Sequence, residues 1–231
     1  LPRGARAARG DLVRILPHGD DGTPGARHSV TEADIAPLLT LGRGTVFPSD
    51  IFEGVTAVGG ASVWDIVVES VDSAGDPIYV TGALVVPDVP ARLTVTFFQG
   101  TYYADRRAPS APGTGFCRGL ELLDCSNDGL IFTAVASLGY LGIFPDYAGI
   151  SGALSAPGTN ASALLGAAGP EPPRPSTHSY IQADSYERTL EDMLAAVSSI
   201  AGTTDCVQAP DGANVTVHAS NKVAALGYSQ G

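Results

Sequence analysis

Apolar and polar positions follow two periods along this chain. From Ser62 to Val71, Val63, Ile66, Val67 and Val68 recur between polar residues, the pattern of a strand. Asp72-Ser73-Ala74-Gly75-Asp76 is turn chemistry, and Ile78 to Pro87, with Val80, Ala83, Val85 and Val86, reads as a second strand. Two such runs joined by a short polar turn predict an antiparallel hairpin. Leu93 to Phe98 is almost continuously apolar, as suits a strand buried on both faces. Asp128 to Leu138 reads as a helix broken at Gly139, and Tyr140 to Phe144 as another buried strand. The clearest helix is Asp184 to about Ala201, where Tyr186, Leu190, Met193, Leu194, Val197 and Ile200 share one face. Asp184 with Glu187 resembles a capping box, with Asp in place of Ser or Thr. Gly202 stops that helix, and Lys222 to Leu226 forms a last strand-like run. Alternating strands and helices predict an α/β fold with a mostly parallel sheet.

Three segments are less regular. Residues 1–30, rich in Arg, Gly and Pro and without a period, read as an extended N-terminal arm or processed leader; a solvated tail is the plain expectation. Thr31 to Leu41 is mixed and predicts a short helix. Within the domain spanning 31–231, residues 150–177 are rich in Ala, Gly, Pro and Ser. A stretch of that length without a period predicts a flexible or lid-like insertion.

Composition narrows the function. The chain has 231 residues, enough for one large domain with a sizeable core, and 44% of them are hydrophobic. A formal net charge of −11 argues against a nucleic-acid surface, which needs Lys and Arg to neutralise phosphate. No apolar run reaches the length of a transmembrane segment. The chain begins at Leu1 without an apolar leader, so either a targeting segment has been removed or the numbering begins at a boundary. Cys117 and Cys125 are close enough in sequence to close a small loop. With Cys206 they suggest one disulfide in an oxidising compartment, the odd thiol being free or paired elsewhere. Their spacing is not C-x-x-C and no His lies nearby, so no metal is expected. Glycosylation sequons begin at Asn160 and Asn214.

The stretch richest in chemistry is Gly227-Tyr228-Ser229-Gln230-Gly231, which fits G-x-S-x-G. Preceded by a strand, this is the nucleophile elbow: a sharp turn lifts the Ser hydroxyl above the sheet, and the next N–H is left free for an oxyanion. Glycines flank the Ser because a Cβ there would crowd the neighbouring strand or helix. Upstream, two polar loops directly follow buried strands, where α/β sheets keep their chemistry. One runs from Gln99-Gly100-Thr101-Tyr102-Tyr103 to Ala108-Pro109-Ser110, and the other is Pro145-Asp146-Tyr147-Ala148-Gly149.

Taken together, these stretches resemble the secretory lipase family of α/β-hydrolases, which includes Candida antarctica lipase A and related bacterial secreted esterases. Gln99-Gly100-Thr101 through Ala104-Asp105-Arg106-Arg107-Ala108-Pro109-Ser110 is similar to the family's H-G-T-T…A-D-R-C-A-P-S. Pro145-Asp146-Tyr147-Ala148-Gly149 is similar to P-D-Y-x-G. His178-Ser179-Tyr180, the amphipathic helix and the elbow are similar to H-x-Y, a helix and G-[HY]-S-x-G. Order and approximate spacing agree from about Trp64 to the end. The resemblance implies an α/β-hydrolase fold and a secreted carboxylic-ester hydrolase acting on an ester or lipid. Ser229 is then the nucleophile, and the backbone N–H groups of Gln230 and of Thr101, or next Tyr102, form the oxyanion hole. Tyr102 and Tyr103 are candidates to line the acyl pocket. No metal or organic cofactor is implied.

The sequence also departs from that pattern. Gln99 stands where many bacterial members have His, and Arg107 where they have the Cys of a disulfide. In this fold the triad runs Ser, then Asp or Glu, then His. The acid and base are therefore expected in a C-terminal polypeptide, either a second chain or a further segment, without which the sheet keeps an exposed edge and an uncovered face. His178 is read as structural or as a pocket-rim residue, His218 as surface, Asp146 as a loop-fixing hydrogen-bond acceptor and Asp105 as a partner of Arg106 or Arg107. Two alternatives remain: a serine peptidase or acyltransferase on the same fold, and a catalytically inactive, hydrolase-like binding protein.

Overall fold

In a computed structural model the chain is described over residues 8–17, 28–35, 56–98, 108–111, 127–148, 183–201 and 216–227. The strands are β1 (Leu12–Pro17), β2 (His28–Val30), β3 (Ala61–Val71), β4 (Pro77–Pro87), β5 (Thr94–Phe98), β6 (Leu141–Pro145) and β7 (Val223–Gly227). Two helices, α1 (Asn127–Ser137) and α2 (Ala183–Ile200), lie between β5 and β6 and between β6 and β7. All seven strands form one sheet in the order β1-β3-β4-β6-β5-β7, with β2 also paired to β3.

The predicted hairpin is present. β3 and β4 pair antiparallel without a register shift from Ala61↔Pro87 to Val71↔Pro77. Its turn is organised by Asp72, whose Oδ1 accepts from the N–H groups of Ala74 (2.8 Å) and Asp76 (2.9 Å). Asp side chains favour such turns because they can replace a backbone acceptor locally. Gly75 supplies the positive φ, at 90°. β4 then pairs antiparallel with β6, while β5 pairs parallel with both β6 and β7.

Alternate residues of the strands point to opposite faces. On one face Trp64, Ile66, Val68, Ile78, Val80, Leu84, Leu141 and Ile143 pack with Met193, Ala196, Val197 and Ile200 of α2. On the other, Val63, Ala83, Val85, Val95 and Phe144 pack with Phe132, Val135 and Ala136 of α1. The helices therefore cover opposite faces of the sheet, as expected of an α/β layer structure. Where α2 crosses the sheet, Gly82 is needed for close approach. A Cβ there would stand 2.7 Å from the Phe144 carbonyl oxygen and 3.0 Å from Met193 Cε.

Helix α1 ends where the sequence indicates. Gly139 has φ +66°, its N–H donates to Ala136 O (2.9 Å), and the Tyr140 N–H donates to Val135 O (3.1 Å). These are the two bonds of a Schellman motif, which satisfies the last carbonyls of the helix. The cap expected of α2 differs from the observed one. The helix already includes Ala183, so Asp184 lies inside the first turn, where its charge complements the helix dipole instead of capping it. A reciprocal capping box does occur at the turn 32–35. The Thr31 N–H donates to Asp34 Oδ2 (2.8 Å), and the Asp34 N–H donates back to Thr31 Oγ1 (3.3 Å).

Within the N-terminal stretch, Leu12–Pro17 belongs to the sheet instead of forming a solvated tail. β1 pairs antiparallel with β3, and the Gly10 N–H donates to Glu69 O (2.8 Å). Arg9 reaches α2, its Nε donating to Asp192 Oδ1 (2.8 Å) and its Nη2 to Glu191 Oε2 (2.8 Å). The buried Asp192 also accepts from Ser70 Oγ (2.6 Å), so one carboxylate joins the segment preceding β1 to β3 and α2. Its hydrogen bond to Arg9 raises the guanidinium pKa above its ordinary value; desolvation opposes this, and the attraction of Asp192 and Glu191 adds to it.

Candidate active site

Strands β5, β6 and β7 are parallel, so their carboxyl ends lie along one edge of the sheet. From β5 the chain crosses by α1 to β6 on one side. It then crosses by α2, on the opposite face, to β7 on the far side of β5. Such a reversal leaves a crevice beyond the strand ends, where open α/β sheets bind ligands. Phe98 is in register with Gly227, the first glycine of G-x-S-x-G. The chain therefore leaves two neighbouring strands at one level, immediately before Gln99-Gly100-Thr101 on β5 and two residues before Ser229 on β7. Ser229, Gln230, Thr101, Tyr102 and Tyr103 themselves lie outside the described residues.

The third strand of this edge brings Asp146. Directly after β6, Asp146 is fully buried and accepts hydrogen bonds from the hydroxyls of Thr81 on β4 and Ser110. Ser110 adds its main-chain N–H to Asp146 Oδ1 at 3.1 Å, and the Asp146 N–H donates to Thr81 O at 2.8 Å. The loop-fixing role expected of this carboxylate therefore has defined partners. Neither partner was legible in the sequence, because Ser110 and Thr81 are 36 and 65 residues away. Ala108 and Ala111, on either side of Ser110, are fully buried, and the Ala111 N–H donates to Ala108 O at 2.9 Å.

An aromatic cluster closes the same edge against α2. Phe98 at the end of β5 lies 6.4 Å from Tyr147 and 6.0 Å from Tyr186, and the two tyrosines are 4.7 Å apart. Ala108 and Ala111 pack into this cluster, so the residues flanking 99–107 share one apolar contact. Periodicity places Tyr186 on the core face of α2. Its position in the first turn also places it at the carboxyl edge.

Other sequence candidates fall outside the described residues: Asp105, Arg106, Arg107, His178, the three cysteines, Asn160, Asn214 and the insertion at 150–177. His218 is exposed beside the buried Val217, which makes a parallel bridge to Ala201. Among the described residues no group of His, Cys, Asp and Glu is arranged to hold a metal. No helix among them is long and apolar enough to cross a membrane.

No family model matches the sequence, and no curated protein does. Solved structures do match. The rice cell wall degrading esterase LipA of Xanthomonas oryzae aligns with a TM-score of 0.58 at 19% identity, over 97% of this chain and 43% of that one. A hydrolase candidate from Legionella pneumophila aligns with a TM-score of 0.58 at 17% identity, over 95% of this chain and 44% of that one. Candida antarctica lipase A, with a TM-score of 0.39 at 13% identity over 83% of this chain and 32% of that one, is too distant to bear on the fold. The chain has an α/β-hydrolase fold. It spans less than half the length of the Xanthomonas and Legionella proteins it matches.

Proposed function

We propose that this chain is the nucleophile-bearing part of an extracellular serine carboxylic-ester hydrolase, an esterase or lipase. Ser229 attacks the ester carbonyl, and the tetrahedral oxyanion is held by the N–H of Gln230 and that of Thr101, with Tyr102 as the next choice. The alcohol leaves, and water then hydrolyses the acyl-enzyme by the same route in reverse. A free serine hydroxyl is a weak nucleophile, so a histidine base oriented by an acid is required. By the order of the triad in this fold, polypeptide following the elbow supplies both. Tyr102 and Tyr103 line the acyl side of the pocket. Such a site needs no metal or organic cofactor.

One observation carries the reading: the parallel pairing of β5 and β7 with Phe98 opposite Gly227. It brings the ends of the two motif-bearing strands side by side at the sheet reversal, as an oxyanion loop and a nucleophile elbow must be. The description of the Xanthomonas protein as a cell wall degrading esterase agrees with this class of reaction and with action outside the cell. The test is hydrolysis of p-nitrophenyl esters beside aminoacyl amides by the full-length protein and its Ser229→Ala variant. Ester turnover lost in the variant, without amide turnover in either, is expected. Preferential amide cleavage would replace the esterase by a peptidase.

A further inference from the structure

Asp146, directly after β6, is a fully buried carboxylate at the edge where the chemistry is proposed, and two of its partners, Thr81 and Ser110, differ in kind. Thr81 belongs to the interior of β4, fixed by pairing with both β3 and β6. Ser110 belongs to the connection that leaves β5, and gives the same carboxylate both its hydroxyl and its main-chain N–H. Two bonds from one residue fix orientation as well as distance. The carboxylate is anchored on the sheet side by its own N–H on Thr81 O and by the Thr81 hydroxyl. At the other end of residues 99–107, Phe98 is held in the cluster that also contains Ala108, Ala111 and Tyr147. Both ends of that short stretch are thereby tied to the carboxyl edge.

We propose that Asp146 is a positioning residue. Through Ser110 it fixes the far end of the 99–110 loop, and so sets where the oxyanion donors at Thr101 and Tyr102 stand relative to Ser229. This rests on the hydrolase reading above. Asp146 acts through the loop, not on the substrate: its oxygens already accept from β4 and from Ser110. Misplacing a catalytic group by about 1 Å can cost roughly 100-fold in rate, so a small release of the loop has a measurable effect.

The experiment compares Ser110→Ala with Thr81→Val in the full-length protein. Each substitution removes one hydroxyl from the same carboxylate, but only the first loosens the loop. Turnover of a p-nitrophenyl ester, the rate of inactivation by a fluorophosphonate and the melting temperature are read for each. Ser110→Ala is expected to lower kcat about 10- to 100-fold and to slow inactivation by a similar factor, with KM within about twofold. Thr81→Val is expected to lower the melting temperature at least as much, with kcat changed less than about threefold. Ser110→Cys keeps the volume and weakens the donor; it moves kcat in the same direction should the alanine variant not fold. Unchanged kcat per phosphonylated site in the Ser110 variants, or an equal loss in Thr81→Val, would overturn the positioning role alone. If the wild type takes no label at Ser229 and Ser229→Ala keeps its activity, the hydrolase reading fails and this inference with it.

Discussion

The two halves of the sheet contrast sharply. In β3, every residue from Ala61 to Ser70 is buried, with β1, β2 and β4 as strand partners and α2 across one face. In β7, Val223 is 50% exposed and Leu226 56%, and among the described residues the strand is paired on one side only, by β5. An exposed apolar edge strand is a liability that folded proteins normally cover. The well-buried half carries no catalytic candidate. The half that carries both motif-bearing strands has, among the described residues, an exposed edge at β7. The contrast separates burial, concentrated on the hairpin side, from the proposed chemistry beyond the ends of β5 and β7.

The largest test of that separation is Ser229→Ala. It is expected to lower ester turnover about a million-fold in the full-length protein while leaving its melting temperature unchanged. Trp64→Ala does the reverse. Trp64 is fully buried, with its Nε1–H on Ser62 Oγ at 3.0 Å, and truncation should cost about 3–5 kcal/mol in denaturant unfolding without changing kcat per folded molecule. Leu226→Ala sharpens the comparison. If the full-length protein covers β7, the substitution costs about 2–5 kcal/mol there, as for any buried leucine. A cost below about 0.5 kcal/mol would mean that the strand stays exposed in the whole protein. Arg9→Gln is the smallest change. Arg9 and Glu191 side chains are 43% and 60% exposed, but the other partner, Asp192, is only 6% exposed, so chemical unfolding should show a loss of about 1–3 kcal/mol. Because the Arg9 pKa is raised, its contribution is fully present below the ordinary arginine value and is lost only in strong alkali. The Arg9→Gln difference should therefore stay constant through neutral pH.

Local signals in the sequence were legible. The hairpin, β5, β6, β7 and both long helices lie within a residue or two of the boundaries that periodicity and turn residues indicate, and Gly139 ends α1 as its position suggests. These features are decided by side-chain alternation and turn chemistry over short windows. Features decided at long range were not legible. β1 is apolar at Leu12, Val13, Ile15 and Leu16, but Arg, Gly and Pro around it conceal a strand that exists because β3 offers it an edge. Asp192 looks like a surface residue of an amphipathic helix, yet it is buried because Ser70 and Arg9 converge on it. At the candidate site, the elbow and oxyanion stretch were evident as motifs. Their juxtaposition follows only from the strand order, which brings β7 beside β5 instead of beside β6.

The central claim is that Ser229 is an activated nucleophile, and fluorophosphonate labelling of the full-length protein followed by peptide mapping tests it most directly. The account predicts one phosphonylated peptide, the one containing Gly227-Tyr228-Ser229-Gln230-Gly231, with labelling abolished in Ser229→Ala. Folded, full-length protein that takes no label at Ser229 would contradict it and leave an α/β-hydrolase fold without the hydrolase chemistry.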